Sequence, residues 1–115
     1  MNISVELNTL DELHVKGLIG GEIDAFTAPI LREKLREITL QNNIHVELNL
    51  MDVSYMDSTG LGVFVGFYKS ISAANGHMEL TGLSSRLKRL FDITGLVEIM
   101  DIKETDKEVK IDETV

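Results

Sequence analysis

The sequence has no cysteine, little positive charge and no long apolar run. Without cysteine there can be no disulfide, no thiolate metal site and no cysteine nucleophile, and the composition suits a reducing cytosol. Eleven lysines and arginines stand against nineteen acidic residues, for a formal net charge of -8. So acidic a chain is repelled by nucleic acid and by anionic membrane surfaces, and a protein partner with a basic docking surface is the better match. The longest apolar stretch, Leu61 to Tyr68, carries two glycines and is far too short to span a bilayer. Met1 to Glu6 offers neither a basic region nor an apolar run, so no signal peptide is expected. These absences predict a soluble, cytoplasmic protein that binds neither nucleic acid nor membrane.

What is present is enough for one domain. The chain has 115 residues, 43% of them hydrophobic, and a chain of that length buries roughly two-thirds of its unfolded surface. Ile3, Val5 and Leu7 alternate with Ser4, Glu6 and Asn8, and Leu13, Val15 and Ile19 resume the alternation beyond a turn at Asp11-Glu12, which predicts a hairpin. Gly20 to Asp24 reads as a loop. Thr27 as N-cap and Pro29 in the first turn open a helix with the apolar stripe Ala28, Leu31, Leu35 and Ile38, ended by Asn42-Asn43. Ile44, Val46, Leu48 and Leu50 make a third strand, followed by a turn through Asp52 and Ser54. Beyond Asp57-Ser58-Thr59-Gly60 a second helix runs to about Ala74, where Asn75-Gly76 breaks it. His77 to Thr81 is a short strand; Ser84-Ser85 caps a third helix with Leu87, Leu90 and Phe91, stopping at Thr94-Gly95; and Ile99 to Ile102 is a last strand. The order ββαβαβαβ predicts an α/β fold: a mixed, mostly parallel sheet of four to five strands with helices packed against it. Residues 1–102 are expected to form the domain and residues 103–115 a charged, weakly structured tail.

The chemistry concentrates between the third strand and the second helix, the usual place for function in α/β folds. Asp57, Ser58 and Thr59 are all N-cap residue types, and capping alone accounts for them. The sharper reading is that Ser58 accepts a phosphoryl group. A phosphate there would meet the positive end of the helix dipole and free backbone N–H groups, so the domain could carry it without unfolding. It would place about -1.5 to -2 charges beside Asp57 on whatever surface the loop presents. Desolvating such a charge in an interface costs on the order of 3 to 5 kcal/mol, roughly a hundred- to several-thousand-fold in affinity.

Enzyme readings fit less well. Met56-Asp57-Ser58-Thr59-Gly60 lacks the first glycine of a nucleophile elbow. His14, His45 and His77 lie in predicted strands far apart in sequence and read as ordinary polar strand positions. No Gly-Lys-Ser or Gly-Lys-Thr exists for a phosphate-binding loop. No histidine–carboxylate spacing suggests a metal, and the opening hairpin is wrong for a response-regulator receiver. No catalytic residue, metal, cofactor or small-molecule substrate is expected. Gly62 and Gly66, one helical turn apart, leave a shallow groove explained either by close packing on the sheet or by a docking strip. Arg86, Lys88 and Arg89 read as a solvated helix face.

Three motifs carry a family resemblance. Tyr55-Met56-Asp57-Ser58-Thr59-Gly60-Leu61-Gly62-Val63-Phe64 resembles the signature of bacterial anti-sigma factor antagonists, the STAS domains. Gly21-Glu22-Ile23-Asp24 and Arg89-Leu90-Phe91-Asp92-Ile93-Thr94-Gly95-Leu96 resemble two further family motifs, in the same order. The wording is most similar to antagonists of the general stress-response (sigma-B) type, with the sporulation type a near neighbour. The resemblance implies partner switching: the unphosphorylated form binds an anti-sigma factor that is also a serine kinase, and the sigma factor is released. The kinase then phosphorylates Ser58 and the complex separates, until a serine phosphatase resets the cycle. It also implies that Asp57, Thr59, Gly60, Gly62 and Gly66, with Asp24 nearby, form the partner-binding surface around Ser58. ATP and magnesium belong to the partner enzymes. The alternative is a STAS scaffold in a larger sensor complex, with Ser58 only a helix cap.

Overall fold

The computed structural model describes residues 2–95 and 101–104. Strands β1 (Ile3–Asp11) and β2 (His14–Ile23) form the expected antiparallel hairpin around Glu12-Leu13. They are followed by α1 (Ala28–Leu35), β3 (His45–Met56), α2 (Ser58–Ala73), β4 (His77–Leu83), α3 (Ser85–Thr94) and β5 (Asp101–Glu104). The sheet is five-stranded in the order β1-β2-β3-β4-β5, with β2 through β5 parallel. Of the strand expected at Ile99 to Ile102, residues 99 and 100 lie outside the described residues; Lys103 and Glu104, expected in the tail, belong to β5 instead, and the rest of that tail, residues 105–115, lies outside the described residues.

Alternation decides the faces. Val15, Ile19, Val46, Leu48, Leu50, Met78 and Leu80 are buried and meet the apolar stripes of the helices. The whole predicted stripe of the first helix, Ala28, Leu31, Leu35 and Ile38, is in this core. The second and third helices add Leu61, Phe64, Ile71, Leu87 and Phe91, with the Phe64 and Phe91 rings 6.2 Å apart. The three described helices therefore share one face of the sheet. The intervening residues, among them Lys16, Glu47, Asn49 and Glu79, point to the other, polar face.

Four expectations need correction. Gly20 to Ile23 is not loop but the end of β2, paired through Ile23 with β3. Asp52 and Ser54 do not make a turn, because β3 runs on to Met56. Between Leu18 and Gly20 the partner strand advances from Asn49 to Asp52, and between Gly21 and Glu22 from Val53 to Tyr55. Each step inserts one extra residue in β3, so the polar punctuation marks two bulges. Gly21 lies at the second, with φ +97° and no room for a Cβ against the Asn2 carbonyl. The first helix stops at Leu35, and Arg36 to Ile38 continue as turn and bend, since their amides bond back to carbonyls three or four residues earlier. Finally, the three histidines far apart in sequence begin β2, β3 and β4 and stand in one register row.

Candidate functional site

The C-terminal ends of β2 and β3 place two loops side by side. Glu22 pairs with Tyr55 and Ile23 with Met56, and just beyond them the Asp57 amide donates to the Ile23 carbonyl at 3.2 Å. Asp24 and Asp57 thus leave neighbouring strands at the same edge, as the ends of parallel strands do at α/β binding sites.

Asp24 folds its loop around its own carboxylate. Its Oδ1 accepts from the amides of Phe26 at 2.9 Å and Thr27 at 3.0 Å, an Asx turn. The Thr27 side chain was expected to cap the helix and makes no such bond. It is buried instead, where its Oγ1 accepts from the Asp24 amide at 2.9 Å and donates to the Glu22 carbonyl at 2.7 Å. Desolvation pushes the Asp24 carboxyl up, but the hydrogen bonds from Thr27 and Phe26 outweigh it and hold its pKa below the ordinary carboxylate value. The loop so fixed holds Phe26 outward, 77% exposed.

The second loop settles which of three capping candidates caps. Asp57 is extended, at φ -114° and ψ -171°, and accepts from the Thr59 amide at 2.9 Å. Ser58 is therefore the first helical residue. It is exposed, as is Thr59, and its hydroxyl bonds to no described residue. The reading of Ser58 as the cap is corrected by this geometry. Beneath it the helix is pinned: a Cβ on buried Gly60 would meet Met56 Cγ at 2.5 Å and Ile23 Cγ2 at 2.7 Å. The first turn of α2 rests directly on the ends of both strands.

Ser58, Gly62 and Gly66 recur every four residues, so they form one stripe along α2. Both glycines are exposed, and a Cβ on either would meet nothing within 4 Å. Close packing on the sheet does not explain them. They border a groove of about 230 Å³ between α1 and α2, whose other walls include Arg32, Leu35, Arg36 and Phe67. Arg36 is paired with Glu33 at 2.9 Å. On the far side of the Ser58 loop, Tyr55, Arg86, Arg89 and Ile93 line a second cleft. Tyr55 is 49% and Ile93 75% exposed. Together with Phe26 they give this end of the molecule three exposed large apolar side chains. Nothing local in the sequence marks Phe26 or Tyr55 as outward-facing, because an isolated aromatic next to a strand end looks like core; the Asp24 turn sets the direction of Phe26, and the position of Tyr55 near the end of β3 sets its own.

The STAS domain profile matches residues 15–109 of the chain. The chain belongs to the STAS family. Among its STAS relatives, the anti-sigma-B factor antagonist of Bacillus subtilis is 51% identical over 102 residues, covering 89% of this chain and 92% of that one. The anti-sigma-B factor antagonist of Listeria monocytogenes serovar 1/2a is 48% identical over 109 residues, covering 95% and 96%. A solved structure of the Bacillus cell fate determinant SpoIIAA in its phosphorylated form superposes with a TM-score of 0.66 at 23% identity, over 97% of this chain and 100% of that one. The α/β sheet described above is thus the STAS fold. Among the described residues, no helix is long and apolar enough to cross a membrane.

Proposed function

We propose that this chain is an anti-sigma factor antagonist whose binding to its anti-sigma factor is switched off by phosphorylation of Ser58. The observation that carries the reading is the state of that serine: exposed, first in its helix, and with a hydroxyl that bonds to no described residue because Asp57 does the capping. A side chain needed for capping would lose its role on modification; Ser58 has no such role to lose. The names of the Bacillus subtilis and Listeria relatives support the antagonist role. The phosphorylated SpoIIAA structure shows that the fold is compatible with a phosphate in that neighbour.

The mechanism follows from charge and position. The unmodified chain docks through the Ser58–Gly62–Gly66 stripe, Thr59 and the Asp24 loop, with exposed Phe26 as an apolar anchor; Gly60, expected on this surface, is buried beneath it against Met56 and Ile23 and can only position the helix. The partner is an anti-sigma factor that is itself a serine kinase. It transfers the γ-phosphoryl group of ATP to the Ser58 oxygen: the new O–P bond forms as the bond from the γ-phosphorus to the bridging oxygen breaks, ADP leaves, and the hydroxyl proton passes to solvent or to a base of the kinase. The phosphate sits at the N-terminus of a 16-residue helix, where the positive end of the dipole favours it, although the amides of Thr59, Gly60 and Leu61 are already taken by Asp57. The fold tolerates it, while the interface faces a new charge beside Asp57. A serine phosphatase restores the hydroxyl by hydrolysis. The chain itself performs no catalysis in this cycle and holds no cofactor for it.

The test is to incubate the protein with the candidate kinase and ATP, map the phosphate by mass spectrometry, and measure complex formation before and after. Phosphate on Ser58 with loss of the complex is the expected result. Label at another position, or normal switching by Ser58→Ala, would overturn it. The scaffold reading explained Ser58 as a cap, a place Asp57 occupies, so no observation favours it.

A further inference from the structure

The end of the sheet remote from Ser58 carries a second concentration of chemistry. His14, His45 and His77 are register partners on β2, β3 and β4. Adjacent strands lie about 4.8 Å apart, so side chains in one register row project together on one face. The His45 and His77 rings are 4.9 Å apart and inclined at 35°, and His14 lies 5.6 Å from His45 on the other side. Glu79 follows His77 by two residues and so returns to the same face. Its side chain is only 14% exposed, and its Oε1 is 3.9 Å from His45 Nε2.

We infer that His45, His77 and Glu79 form a binding site for a divalent first-row transition-metal ion of the zinc class. One donor atom from each of the three lies within 4.8 Å of the other two. Tetrahedral zinc with bonds of about 2.0–2.2 Å needs donors roughly 3.3–3.5 Å apart. Small side-chain rotations of the exposed His77 and half-buried His45 rings bring them to that spacing. Two imidazoles and one carboxylate select zinc, cobalt, nickel or copper over magnesium and calcium, which prefer all-oxygen sets. The electrostatic setting favours a cation as well: Glu47 and Glu79 are register partners on neighbouring strands, and opposed like charges on one face repel. Lys16, 3.9 Å from Glu47, is the neighbouring amine on this row. His14 stands outside this set: among the described residues, only His45, His77 and Glu79 bring donor atoms within 4.8 Å of one another.

The site opens β3 and Ser58 lies just past its end, so the two stand roughly 30 Å or more apart along a twelve-residue strand. Metal binding is therefore independent of the Ser58 switch. The experiment is calorimetric titration of untagged, chelator-treated protein with ZnCl₂ at neutral pH, alongside CoCl₂ titration followed by visible absorption. One saturable equivalent is expected, with cobalt absorption typical of a nitrogen- and oxygen-ligated site. His45→Ala, His77→Ala and Glu79→Gln should each weaken zinc binding about tenfold or more, whereas His14→Ala and Ser58→Ala should bind as the parent chain does. Circular dichroism checks folding, and the exposed His77 makes His77→Ala the variant least able to disturb it. Absence of one-to-one binding tighter than about 100 μM, or equal sensitivity to His14→Ala and His77→Ala, would overturn the assignment.

Discussion

Three glycines on one helix give opposite expectations for the same substitution. Gly60, Gly62 and Gly66 all lie within α2, and alanine is favoured over glycine in a helix interior by about 0.8–1 kcal/mol. At Gly62 and Gly66 a methyl group meets nothing within 4 Å, so each alanine should stabilise the fold by about 0.5–1 kcal/mol. At Gly60 the methyl group would lie 2.5 Å from Met56 Cγ and 2.7 Å from Ile23 Cγ2, inside a buried contact. Overpacking of that kind costs about 1–3 kcal/mol and outweighs the propensity gain. A change of 1 kcal/mol moves Tm by about 3–6 °C in a domain of this size. Thermal and urea denaturation should therefore show Gly62→Ala and Gly66→Ala melting higher than the parent and Gly60→Ala lower. The same two stabilised variants should bind the anti-sigma factor more weakly in calorimetry, because the methyl groups fill the stripe that the partner approaches. Destabilisation by Gly62→Ala, or a Gly60→Ala variant as stable as the parent, would refute the packing argument. Unchanged partner binding by the stabilised variants would remove the stripe from the interface.

Three further outcomes test the loops. Asp57→Ala removes the hydrogen bond to the Thr59 amide and should lower stability by about 1 kcal/mol, measurable by urea denaturation. Thr27→Val keeps the shape of a buried side chain but leaves the Asp24 amide and Glu22 carbonyl without its hydroxyl; a loss of about 1–3 kcal/mol is expected, and a neutral result would mean that water replaces it. The folded Asp24 pKa lies below its unfolded value, so its contribution is present above the unfolded pKa and is lost as pH falls through the folded one. The parent chain should therefore lose stability more steeply than Asp24→Ala as the solution is acidified below about pH 4, read as Tm against pH; parallel curves would contradict the assignment.

Much of the architecture was written in local pattern. Period-two alternation in Ile44 to Leu50 and the stripe from Ala28 to Ile38 are one-dimensional signals that the core used as they stood, while the alternating Ile3, Val5 and Leu7 are half-buried at its margin. The strand-to-helix junction at Asp57-Ser58 was likewise legible, because capping types and glycines cluster where a chain changes conformation. The breaks were less legible. Asp52 and Ser54 look like turn residues, yet pairing with β2 keeps that segment extended and turns them into bulges. Glycines at 20 and 21 look like loop, yet the same pairing holds them in strand.

The sequence by itself determined the apolar stripes of the helices and central strands, the order of elements and the position of Ser58 at a helix start, since each depends on neighbours a few residues away. Only the tertiary structure decided that Asp57 rather than Ser58 is the cap, that Gly62 and Gly66 face solvent, and that three distant histidines form one row. Those facts depend on which strand lies beside which and in what register, and register is fixed by burial of a whole face at once.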